Sequence, residues 1–127
     1  MAASVTKTEI THKPIKKITW QWTAHTDGKV AVATTNAETT NYYTGEIVRL
    51  VTVPGAGADQ PDDNYTVKIY DDDDVDVLMA AANANRDKLN TEQVAASSLG
   101  IVCASKLTLY VEGAGSGLKG TVHLYVR

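Results

Sequence analysis

Regular alternation of apolar and polar positions starts at Ile18. Ile18, Trp20, Trp22 and Ala24 share one face and Thr19, Gln21 and Thr23 the other, which predicts a half-buried strand over residues 16–25. Asp27-Gly28 is a tight-turn pair, and Val30 and Val32 share a face just after it. The pattern therefore predicts a hairpin returning over residues 29–35. The next strand, over residues 46–53, is apolar on both faces. Val48 and Leu50 lie on one side, Ile47, Val51 and Val53 on the other. Such a strand needs cover on both sides, from its own chain or from another subunit.

Tyr65, Val67 and Ile69 alternate with Thr66, Lys68 and Tyr70 and predict a strand over residues 64–70. Leu107, Leu109 and Val111 do the same over residues 106–112. Val122, Leu124 and Val126, with His123 and Tyr125 opposite them, mark a last strand over residues 119–127. The expected core is Trp20, Trp22, Val48, Leu50, Val67, Ile69, Leu107, Leu109, Val122 and Leu124. Residues 54–63 hold Pro, Gly and Asp punctuation and read as a loop, as do the polar residues 83–93. Residues 75–82 carry two signals, Val75 and Val77 alternating about Asp76 and then a helix-forming Leu-Met-Ala run. A short strand followed by a turn or one helical turn is expected there. Residues 94–103, with Leu99, Ile101 and Val102 around Gly100, add one short strand. Residues 1–15 are polar, have no sustained period and end at Pro14, so they read as a flexible N-terminal arm.

Together these elements predict an all-β chain: a two-sheet antiparallel β-sandwich, immunoglobulin-like or jelly-roll-like, over residues 16–127, with an extended arm over residues 1–15. Composition agrees, since Val, Ile and Thr supply 36 of 127 residues and such side chains suit a pleated sheet. There is no run of about 18 apolar residues to make a membrane helix. The first ten residues hold no stretch of signal-peptide character, so export by that route is not expected. Cys103 is the sole cysteine and is expected as a small buried hydrophobe rather than a disulfide or zinc partner.

Charge is uneven. Residues 1–30 hold five lysines against Glu9 and Asp27, whereas residues 59–76 hold eight aspartates against Lys68. Nucleic-acid binding requires clustered cations to displace counterions from phosphates, and here a stronger acidic segment opposes the basic one. No nucleic-acid partner and no membrane partner is expected. Lys7, Lys13, Lys16 and Lys17 on one side, and Asp71, Asp72, Asp73 and Asp74 on the other, are instead candidates for contacts between subunits. The acidic run lacks the Gly and Glu of an EF-hand loop and reads as a solvated hairpin tip, with no metal and no cofactor expected.

His12, His25 and His123 have no local partner of nucleophile or ligand type, and no motif supports a reaction class, so an enzyme is not expected. Trp20 and Trp22, two apart on a strand, face the same way. On a surface they would form a sugar-binding platform. In a chain without phenylalanine they serve first as core volume.

Several segments read together resemble small virion proteins of tailed bacteriophages: ITWQWT at 18–23, YTGEIVRLVTVPG at 43–55, NYTVKIYDDDDVDVL at 64–78, NRDKLNTEQV at 85–94, SKLTL at 105–109 and VHLYVR at 122–127. The similarity covers most of the chain from residue 16 onward. Where an Asp-Gly or similar turn is expected after the fourth long strand, this chain carries four aspartates instead. The resemblance implies a β-sandwich that decorates or cements the capsid without catalysis. Its partners would be the major capsid protein or other virion proteins and further copies of itself, with assembly into the virion in the host cytoplasm. A tail or neck component, or a carbohydrate- or receptor-binding module, is the alternative. Ile47, Val51 and Val53 on the outer side of their strand complete the expected interaction residues.

Overall fold

The computed structural model describes residues 2–94, 99 and 102–127. Those residues form eight strands: β1 (Ser4–His12), β2 (Ile15–Thr23), β3 (Tyr43–Pro54), β4 (Thr66–Tyr70), β5 (Glu92–Val94), β6 (Val102–Ser105), β7 (Thr108–Glu112) and β8 (Lys119–Val126). The larger sheet runs β1-β2-β8-β3-β5, with β6 beside the start of β3, and the smaller one pairs β4 with β7. All pairings are antiparallel. The described residues contain no α-helix. This is the all-β two-sheet sandwich that the alternation predicts.

The core lies between the sheets. Ile18, Trp20 and Trp22 from β2 and Val122 and Leu124 from β8 meet Val67 and Ile69 from β4 and Leu109 and Val111 from β7, all essentially inaccessible. Trp20 donates from Nε1 to the Ala37 carbonyl at 2.9 Å. The Trp22 ring tilts against Tyr65 with centroids 5.6 Å apart. Gly120 lies opposite Trp22 in register, and a Cβ there would overlap the indole, so this position admits only glycine. Cys103 is buried, as expected, and burial raises its thiol pKa.

Several expectations change. The Asp27-Gly28 turn forms, with His25 N–H donating to the Lys29 carbonyl at 2.8 Å, but residues 29–35 do not return as a strand beside β2. Both edges of β2 are already occupied, by β1 and by β8. The chain crosses to the other layer instead, where Val30 bridges Val111, and it continues through consecutive turns. In β3 the register slips between Ile47 and Arg49. That bulge turns Ile47 into the core at 0% exposure and leaves Val48 half-buried, the reverse of simple alternation. Ile47 is therefore not an outer-face residue. Within the segment expected as an arm, Ser4–His12 pairs with β2 at nine consecutive positions, with Val5 in the core. This stretch is built into the sheet as its edge strand.

Residues 75–82 form the expected turn, but in place of a strand before it there is only the single bridge of Asp76 to Tyr70. Asp76 Oδ1 accepts from Leu78 N–H at 3.0 Å and Oδ2 from Ala80 N–H at 3.0 Å, which seats Val77 and Leu78 in the core. The polar loop over residues 83–93 ends in β5. Of residues 94–103, expected to hold one short strand, Val94 closes β5 and Val102 and Cys103 open β6, while 95–98, 100 and 101 lie outside the described residues.

Candidate functional site

The sheet register assembles a surface on the outer face of the larger sheet, away from the smaller one. One row reads Ile10, Lys17, Tyr125, Arg49 across β1, β2, β8 and β3. The next reads Thr8, Thr19, His123, Val51, Gln93, reaching β5. Beyond it lie Thr6, Gln21, Thr121 and Val53. Among the described residues no strand packs over these rows.

Tyr125 is the centre of the first row. Lys17 Nζ stands 5.6 Å and Arg49 Cζ 5.1 Å from its ring centroid, so one aromatic face system holds two cations. Arg49 is steadied from its other side by Nε donating to Gln93 Oε1 at 3.0 Å. In the second row His123 Nδ1 and Thr19 Oγ1 are 2.9 Å apart. Partial burial, and then the charges of Lys17 and Arg49, hold the His123 pKa below its ordinary value of 6.5. Val51 is only 8% exposed, yet it belongs to this face, flanked by Gln93 and His123, rather than to the core. Val53 is half-buried beside it.

A pH dependence follows. A histidine whose folded pKa lies below its unfolded value favours the folded state while neutral. Stability is then full above about pH 6.5 and declines as pH falls from there through the folded pKa. His123→Gln should flatten that part of a melting-temperature profile; an unchanged slope between pH 7 and 5 would remove this role.

The remaining sequence candidates are dispersed. Lys7 turns inward, and its Nζ donates to the Glu38 carbonyl at 2.7 Å and Thr40 Oγ1 at 2.8 Å, with Glu9 Oε2 at 3.5 Å. Its charge is spent inside the chain. Lys16 Nζ donates to the Thr44 carbonyl at 3.2 Å. Lys13 stands exposed at the β1–β2 turn with φ 57°. Ile47 is in the core. Only Lys17, Val51 and Val53 of the expected set fall together on the outer face.

The acidic run is organised by turn chemistry. Asp71 Oδ1 accepts from the N–H groups of Asp73 at 2.9 Å and Val75 at 3.0 Å, and Asp71 N–H donates to the Val75 carbonyl at 3.0 Å. Asp72, through its N–H, leans on Ser105 Oγ at 3.3 Å. The carboxylates of Asp72, Asp73 and Asp74 make no hydrogen bond or ion pair among the described residues. Among those residues no group of three or more His, Cys, Asp or Glu is placed to hold a metal ion.

A groove of about 600 Å³ runs between the start of β1 and residues 25–36 and is lined by Ser4, His25 and Asp27 among others. Its polar groups serve the turn. Asp27 Oδ1 accepts from Lys29 N–H at 3.0 Å and stands 3.4 Å from His25 Nδ1. Compared with known proteins, the chain matches no protein family, no curated protein and no solved structure.

Sequence reasoning missed Tyr125, Arg49, Thr19, His123 and Gln93 as one surface. Alternation places His123 and Tyr125 on one side of β8, but which residues stand beside them depends on the strand order and on the β3 bulge.

Proposed function

We propose that this chain is a non-enzymatic structural protein of a bacteriophage virion, a capsid decoration or cement protein that stabilises the head through subunit contacts. The observation that carries this reading is the outer face of the larger sheet, over which no strand packs among the described residues, a broad surface of cations, hydroxyls and Val51 and Val53 held on a two-sheet scaffold. A cementing protein works by presenting a rigid face to its neighbours, and burial of such a face against a shell or a sister copy is its function. The segments that resemble phage virion proteins supply β2, β3, β4 and β8, the strands that form that scaffold. The edge strand β1 offers a second line of contact, since among the described residues β2 is its one partner in the larger sheet. A tail or neck position would use the same surfaces. The sugar-platform alternative loses its residues, because Trp20 and Trp22 are 0% and 1% exposed.

Co-sedimentation separates these readings. The purified chain, mixed with heads and with tails of the phage that encodes it after removal of the resident copies, should pellet with heads at a fixed stoichiometry. Pelleting with tails alone, or with neither, would refute the decoration role.

A further inference from the structure

Two surfaces of opposite charge stand unpaired on this chain. Within the outer face, Lys17 and Arg49 flank Tyr125, and neither makes an ion pair among the described residues. Two like charges held over one ring repel, and an anion placed between them relieves that repulsion. Arg49 spends one N–H on Gln93 and keeps the rest of its donor fork for a carboxylate. The row Ile10, Lys17, Tyr125, Arg49 contains no carboxylate of its own. Glu46 is exposed near the start of β3 and forms no ion pair with it, and Lys119, at the far end of the face, is 3.9 Å from Asp59.

The second surface is the acidic turn. Its shape is fixed from within, because Asp71 holds the backbone of Asp73 and Val75 and closes the turn. Asp72, Asp73 and Asp74 project exposed carboxylates, and Val75, 52% exposed, stands beside them. An acidic tip with one apolar neighbour matches a cationic row with one apolar neighbour, Ile10, itself 41% exposed.

We infer that the outer face is the seat of a second copy's acidic turn, with Asp72 and Asp73 of one copy meeting Lys17 and Arg49 of the next and Val75 packing against Ile10. The contact is head-to-tail, so it generates a ring where the rotation closes and a chain of copies where it does not. Its strength falls with salt, because the charges sit near solvent until they meet. This contact rests on the subunit-contact part of the proposed function, and self-association and head binding are separate measurements.

The test uses the full chain in sedimentation velocity at about 50 mM and about 500 mM salt, conditions that change the screening length several-fold. The wild type should self-associate at low salt and dissociate toward the monomer at high salt. Lys17→Glu/Arg49→Glu and, separately, Asp72→Lys/Asp73→Lys should each weaken self-association at least about tenfold. Mixing the two variants should restore a complex between them, since a basic turn then meets an acidic face. Circular dichroism checks that each variant is folded. If the face variant does not fold, the turn variant alone decides, because its residues are exposed and carry no core contact. A monomeric wild type at low salt would overturn the inference, even where head binding persists. So would a turn variant that associates as tightly as the wild type, which would mark another surface as the contact, or a mixture of two folded variants that fails to combine.

Discussion

Trp20→Ala is expected to lower the unfolding free energy by about 3–5 kcal/mol, read from denaturant titration. The indole is wholly buried between the sheets, in register with Val122 on β8 and Lys7 on β1. Its removal leaves a cavity bounded by both sheets and takes away the Nε1 hydrogen bond to the Ala37 carbonyl, which then accepts from Leu109 N–H alone. Trp22 sharpens the test, because its Nε1 has no hydrogen-bond partner among the described residues. Trp20→Phe should therefore cost more than Trp22→Phe, by about the 1 kcal/mol of one hydrogen bond. Equal costs would mean that the Ala37 bond contributes nothing. Wild-type stability in Trp20→Ala would remove the packed core as the basis of the fold.

Glu9→Gln should be the next most damaging change, at roughly 2–3 kcal/mol. Glu9 ties the edge strand to the crossing segment. Its carboxylate accepts from Thr40 N–H at 2.9 Å, Asn41 N–H at 3.1 Å and the Tyr43 hydroxyl at 2.8 Å, with Lys7 alongside. Partial burial opposes the charge, but these three hydrogen bonds and Lys7 outweigh it and hold the carboxyl below its ordinary value of 4.5. Burial and the same Glu9 contact push the Tyr43 hydroxyl well above its usual range. A carboxylate with a depressed folded pKa contributes stability above its unfolded pKa and loses it as pH falls. The wild type should thus weaken progressively below about pH 4.5, and Glu9→Gln should flatten that acid limb while lowering the plateau above it. An acid limb unchanged in the variant would assign the titration to other carboxylates.

The strands that alternate cleanly were legible in the sequence. From Ile18 in β2 and from Val122 in β8 every second residue is apolar, and those residues are the buried ones, because a pleated strand sends alternate side chains to opposite faces. Alternation failed where topology decides. Residues 29–35 have the pattern and the preceding turn of a returning strand, but β8 arrives from about a hundred residues later to take the edge of β2 they would have used. Ile47 was misplaced for a related reason, since a single-residue slip in pairing reverses every face assignment before it, and nothing local announces the slip. The edge strand was hidden by its composition. Lys7 and Glu9 read as solvated arm residues, whereas they face inward and satisfy each other and the backbone of Glu38, Thr40 and Asn41. The candidate surface was half legible: Lys17, Val51 and Val53 carried a signal, while the Tyr125 pairing with Arg49 exists only through register.

A cryo-electron-microscopy reconstruction of purified heads from the phage that encodes the chain tests the decoration role most directly. The expected map carries this two-sheet sandwich at regular positions on the shell, with the outer face of the β1-β2-β8-β3-β5 sheet buried against capsid or a sister copy. Heads without such density, or sandwiches whose outer face is turned to solvent, would contradict it.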